Sequence, residues 1–145
     1  MKNETLVKDY LDRAAVRLKA IEVLKQEKSW ADVVRESQEA IELSLKALLR
    51  HCGIEVPRIH DVSPLLEENI QQLPDLIRPQ VKKLSKISRD LRRDRELAFY
   101  GSEDLTPSDF YRAEDGKEAL ASAKWVVELV REACLGKRRA NGKFY

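Results

Sequence analysis

Apolar residues return at three- and four-residue intervals along most of the chain, the signature of helices that each lay one face on a core. Over residues 5–25 the positions are Leu6, Tyr10, Ala14, Leu18, Ile21 and Leu24 or Val23, which predicts a first amphipathic helix. A second opens at Ser29-Trp30-Ala31-Asp32, where the Ser29 hydroxyl is placed to accept an early backbone N–H and Asp32 sits in the first turn. Its stripe is wide, running through Trp30, Val33, Val34, Ser37, Ala40, Ile41, Ser44, Leu45, Leu48 and Leu49. So broad an apolar face predicts a central helix, stopped by Gly53.

Residues 54–59, with Pro57, read as an extended connection. Asp61 or Ser63, followed by Pro64, starts a short helix that is expected to bury Leu65, Leu66 and Ile70. Pro74 and Pro79 flank the start of the next long helix, with Ile77, Val81, Leu84, Ile87, Ser88 and Leu91 on its inner side and an end near Phe99, before Gly101. After a polar loop, Thr106-Pro107 opens a short helical approach containing Phe110 and Tyr111. The last helix has a stripe at Leu120, Ala123, Val127, Val130 and Cys134. The pattern predicts an all-α fold, an up-and-down four-helix bundle with one short additional helix over residues 1–135, and a basic flexible tail at 136–145. No internal repeat is evident.

Composition agrees with that reading. A chain of 145 residues that is 43% hydrophobic can bury one sizeable core without a disulfide framework or a structural metal. Five glycines and a 6% aromatic content argue against a sandwich or barrel. Cys52 and Cys134 fall in separate apolar stretches with no C-x-x-C spacing, as free core thiols of a reducing compartment do, so a cytoplasmic location is expected. The apolar runs are only a few residues long, and Met1-Lys2-Asn3-Glu4 leads straight into a charged amphipathic segment, so neither export nor a membrane span is expected. The chain has no Gly-rich phosphate loop, no nucleophile elbow and no zinc-protease histidine spacing, so no cofactor and no metal is expected.

Charge changes the picture. The formal net charge is only +2, but residues 78–95 hold eight basic side chains, Arg78, Lys82, Lys83, Lys86, Arg89, Arg92, Arg93 and Arg95, against Asp90 and Asp94, a local +6. Lys137, Arg138, Arg139 and Lys143 add +4 near the C-terminus, which leaves −8 for the rest. On a helical wheel the apolar positions of this segment and Ala98 share an arc of about 120°, while Lys82, Lys86, Arg89, Arg93 and Tyr100 lie opposite within about 60°. Asp90 and Asp94 fall away from the centre of that stripe, so it is expected to carry no i,i+4 acidic partner. A charged helical face is most often simply solvated, but a cationic stripe that repels itself suits an anion, and phosphate suits arginine forks beside a ring that can stack on a base.

Three segments carry a resemblance. They are residues 37–49, SQEAIELSLKALL, residues 53–62, GIEVPRIHDV, and Ser88-Arg89-x-Leu91-Arg92-x-x-Arg95-Glu96-x-Ala98-Phe99-Tyr100-Gly101. With the stretch from Tyr111 to Val130, the chain resembles the HEPN family (higher eukaryotes and prokaryotes nucleotide-binding) over about residues 4 to 135. The resemblance implies a helical bundle, usually a homodimer, often paired with a minimal nucleotidyltransferase as toxin and antitoxin. Many members are metal-independent ribonucleases with an R-x(4-6)-H motif facing its copy across the dimer cleft. In one subgroup the motif extends to a tyrosine that the nucleotidyltransferase modifies with AMP. Laid on this sequence, Arg93 takes the arginine position, Asp94 the polar neighbour and Tyr100 the tyrosine, while Ala98 stands where the histidine would be.

Alanine exchanges no proton, and general acid/base help is typically worth about 10²- to 10⁴-fold. The two histidines lie elsewhere. His51 ends the second helix, where a cation suits the dipole, and His60 either anchors its loop by hydrogen bonds or neighbours the site. The first expectation is therefore a HEPN module, homodimeric and paired with a nucleotidyltransferase, that binds nucleotide or RNA phosphate through Lys82, Lys86, Arg89, Arg92, Arg93 and Arg95, with Tyr100 a modification acceptor, a stacking platform or a core residue. Two alternatives stand beside it. One is an active endoribonuclease using Arg93, Arg95, Tyr100 or His60 across the dimer, and the other is a scaffold whose basic face docks an acidic protein.

Overall fold

Three residues separate the first two long helices, too few for anything but a reversal. The computed structural model describes residues 2–100 and 105–136, with the backbone alone for Lys2 and residues 91–99. Helix α1 (Lys2–Gln26) ends, Lys28 turns the chain with a positive φ of 57°, and α2 (Trp30–His51) returns alongside. Asn3 Nδ2 donates to the Arg50 carbonyl, tying the start of α1 to the end of α2. The chain continues through α3 (Ser63–Glu68), 3-10 turns at Ile70–Gln72 and Arg78–Gln80, α4 (Val81–Tyr100), α5 (Pro107–Phe110) and α6 (Ala113–Leu135). Among the described residues there is no strand and no helix long and apolar enough to cross a membrane.

Helix α2 is the axis of the bundle. It packs along α1 and α6 and also meets α4, so its stripe is enclosed on three sides. Every residue of the expected stripe is buried except Trp30, which is half-buried. Gly53 stops the helix with a φ of +74°, a conformation open to glycine. Its N–H donates to Arg50 O at 3.0 Å and that of Ile54 to Leu49 O at 2.9 Å, the paired bonds of a Schellman ending.

Over its first turns helix α1 faces inward one residue past the expected stripe, and from Ala14 on it follows that stripe. Val7, Leu11, Ala14 and Ile21 are buried, Leu6 and Tyr10 sit at the edge, and Val23 is exposed. The reason is that α1 packs on two neighbours, α2 and α6, so its inner stripe points between them. From α6, Arg131 Nη1 donates to Leu11 O at 2.7 Å, while the Arg50 guanidinium stands 5.9 Å from the Tyr10 ring centroid.

Two local expectations change. Ser29 does not cap α2 with its side chain; its hydroxyl donates to Asp32 Oδ2 at 2.6 Å. An ionised carboxylate is the stronger partner, and the Ser29 backbone (φ −85°, ψ 71°) lacks the extended geometry that aims a capping oxygen at the first turn. The short helical approach expected from Thr106-Pro107 forms as α5, a single turn that ends before Tyr111. The Thr106 hydroxyl accepts from Asp109 N at 3.2 Å, and the Asp109 carboxylate accepts from Thr106 N, a capping box that stabilises even this single turn. In α3 only Leu66 of the three expected core residues is fully buried, because its six residues lie on α4 along one edge. Beyond Gly136 the expected basic tail lies outside the described residues.

Candidate phosphate-binding face

The two faces of α4 differ sharply. Val81, Leu84, Ser85 and Ser88 are buried toward the core, and Lys82, Lys86 and Arg89 are exposed on the outer side. Tyr100, at the C-terminal end of the helix, is 76% exposed, which overturns core packing as its role. The side chains of Arg92, Arg93, Asp94, Arg95 and Ala98 lie outside the described residues.

The outer face is partly neutralised, contrary to the sequence expectation. Lys86 Nζ lies 2.9 Å from Asp90 Oδ2, and Arg89 Nη1 lies 3.0 Å from Glu67 Oε1 of α3. The wheel separates Asp90 from the stripe by angle, but a lysine side chain spans that gap, and Glu67 arrives from another helix. Both pairs face solvent, where such contacts are typically worth about 0.2–1 kcal/mol, so an incoming phosphate can displace them. Lys82 has no ion pair among the described residues. Lys83 turns away, with its Nζ 3.8 Å from the centroid of the Trp125 ring, a cation–π contact with α6.

His60 is drawn to the flank of this face. Its Nδ1 lies 2.7 Å from Oε1 of Glu42 on α2, and Lys46 Nζ lies 3.3 Å from the other Glu42 oxygen. The neighbouring residues bind α4: the Val62 N–H donates to Ser88 Oγ at 2.9 Å, and Ser88 Oγ donates to Asp61 Oδ1 at 3.1 Å. The Ser63 N–H donates to the same Asp61 oxygen at 2.9 Å. Partial burial works against the Asp61 carboxylate, but the hydrogen bonds from Ser63 and Ser88 and the nearby Arg89 charge outweigh it and hold its pKa below the ordinary aspartate value. Residues 60–62 thus clamp the connection to both α2 and α4, close to Arg89.

Of these groups, sequence reasoning missed Glu42 and Glu67. Ser88 did carry a signal, a hydroxyl within an apolar stripe, which in a packed core needs a partner. His51 lies exposed in the last turn of α2, where a cation suits the dipole.

Both cysteines are free, and burial pushes both thiols up, Cys134 to about 12 with the nearby Cys52 adding to the shift. No group of three or more His, Cys, Asp or Glu side chains among the described residues is placed to hold a metal ion.

No curated protein and no solved structure matches the chain significantly. The model of the HEPN domain matches residues 7–133, from the first buried residue of α1 to the last turn of α6. That span takes in all four long helices and the clamp that joins them, and the chain belongs to the HEPN domain family.

Proposed function

We propose that this chain is a binding and regulatory module, the HEPN half of a cytoplasmic pair with a minimal nucleotidyltransferase, which acts as a homodimer and takes nucleotide or RNA phosphate on the outer face of α4. The observation that carries this reading is the exposure of Lys82, Lys86 and Arg89 along one side of that helix, the last two held only by solvent-facing ion pairs. In sequence, Arg92, Arg93 and Arg95 continue the cationic run toward Tyr100, which is either the stacking platform or the acceptor of a modification. With alanine at position 98, the ribonuclease histidine of the family motif has no counterpart there.

Fluorescence anisotropy with a labelled single-stranded RNA tests the binding. Lys82→Glu with Arg89→Glu is expected to weaken affinity and to flatten its dependence on salt by about 0.7 units of slope for each phosphate no longer neutralised. Unchanged affinity in the double variant overturns the reading. Co-expression with a nucleotidyltransferase encoded beside this gene is expected to give a stoichiometric complex, and failure to co-purify counts against the pairing.

One geometry favours a second reading, an endoribonuclease with a non-standard site. Glu42 orients the His60 ring, which stays half-exposed one residue before the Asp61 that faces the Arg89 charge. Incubation of labelled RNA with wild type, His60→Ala and Arg93→Ala decides it, since equal cleavage by all three overturns that centre.

A further inference from the structure

Two cations of the outer face are set as a pair. Lys86 and Arg89 are three residues apart on α4, neighbours on one helical side with about 4.5 Å of rise between them. Each meets one carboxylate, Lys86 that of Asp90 at 2.9 Å and Arg89 that of Glu67 at 3.0 Å. All four side chains stay open to solvent, from 40% exposed at Asp90 to 74% at Lys86. The protein's own anions therefore occupy the pair, two negative charges on two positive ones, and a ligand reaches it by exchange.

Glu67 is not a loose partner. It follows the fully buried Leu66 in α3. The start of α3 is pinned to α4 through Ser88, the residue before Arg89, whose hydroxyl accepts from the Val62 N–H and donates to Asp61. A carboxylate anchored in this way competes from within the molecule, at a high effective concentration and without the loss of translational freedom that a ligand meets. An internal phosphate of a strand carries a single charge, so it only exchanges one monoanion for another against that advantage. A phosphomonoester carries about −1.5 to −2 charges at neutral pH and three strong acceptor oxygens. It can engage the Lys86 ammonium and the Arg89 guanidinium together and displace both carboxylates at once.

We propose that the Lys86 and Arg89 pair selects a phosphomonoester, the free end of an RNA strand or of a nucleotide, over internal phosphodiesters, and that Glu67 and Asp90 set the selection. This selection rests on the phosphate-binding face proposed above and narrows its ligand to one chemical class.

Fluorescence anisotropy of the full-length protein with a 3′-labelled RNA oligonucleotide, carrying either a 5′-phosphate or a 5′-hydroxyl, tests it. The phosphorylated strand is expected to bind at least about threefold tighter. Glu67→Gln is expected to narrow that preference by raising the affinity of the hydroxyl strand. Glu68→Gln, the same change of charge at a residue that makes no ion pair with Arg89 among the described residues, is expected to leave the ratio at the wild-type value. Uridine 5′-monophosphate is expected to displace the phosphorylated strand at concentrations where uridine does not. Its affinity relative to the strand tells the source, a free nucleotide where the two are equal and a strand end where the strand binds tighter. Equal affinity for the two strands, or equal effects of the two substitutions, overturns the selection and leaves phosphate binding standing. Failure of both strands to bind overturns the phosphate-binding reading and the selection with it.

Discussion

The Trp30 ring lies so close over Gly116 that a β-carbon at that position would meet Trp30 Cε3 at 2.5 Å. The contact fixes the first turn of α6 against the first turn of α2. Helix propensity alone favours alanine over glycine by about 0.8–1 kcal/mol, yet overpacking of this kind costs about 1–3 kcal/mol. Gly116→Ala is therefore expected to destabilise the protein by up to about 2 kcal/mol in chemical denaturation. Gly116→Ala with Trp30→Leu is expected to recover part of that loss, and a stabilised single variant would show that the ring moves freely.

Ser88→Ala removes the acceptor of the buried Val62 N–H and a donor to Asp61. An orphaned buried group costs about 1–3 kcal/mol, and a loss of that size is expected at neutral pH. The sign with pH follows from Asp61. Its folded pKa lies below the unfolded value, so its contribution is complete above the ordinary aspartate value of 3.8 and is lost as pH falls through the folded value. The gap between wild type and Ser88→Ala is expected to narrow in acid below about pH 4, as measured by urea midpoints across the range.

His60→Ala frees the connection between α2 and α3 from Glu42. Arg58, exposed two residues earlier, then becomes a readier trypsin site. Faster cleavage after Arg58 with little change in melting temperature is the expected result, read by mass spectrometry of the first fragments.

Both thiols are half-buried and shifted upward, so the native protein is expected to react slowly with iodoacetamide at pH 8 and stoichiometrically once unfolded. Rapid labelling of Cys134 in the native state would contradict the burial that raises it.

How much of this is legible in sequence depends on distance along the chain. The α2 stripe reads correctly because each of its positions is set by one helix and one period. The register of α1 slips by a residue only over its first turns, where Val7 beside Leu6 and Leu11 beside Tyr10 offer two near-equal stripes to its two neighbours, α2 and α6, while Ala14 and Ile21 fall as expected. Ser29 and Asp32 have the right spacing, but the choice between donating to the carboxylate and accepting from the backbone rests on a backbone angle. At the basic face, Lys82, Lys86 and Arg89 fall where the wheel places them. Glu67, which meets Arg89 across 22 positions, and Glu42, which meets His60 across 18, have no periodic trace. A groove between α2, α4 and α6 is harder still to foresee, since the Gln38, Asp90 and Glu118 that line it come from three helices.

Asp90 belongs to both surfaces of α4, as the ion-pair partner of Lys86 on one side and, on the other, a wall of the groove between α2, α4 and α6 that Asp115 and Glu118 also line. The Lys86–Asp90 pair therefore couples the electrostatics of the two surfaces. Under the phosphate-binding reading proposed above, a phosphate that drew Lys86 away would leave an uncompensated negative charge on the opposite flank of the helix.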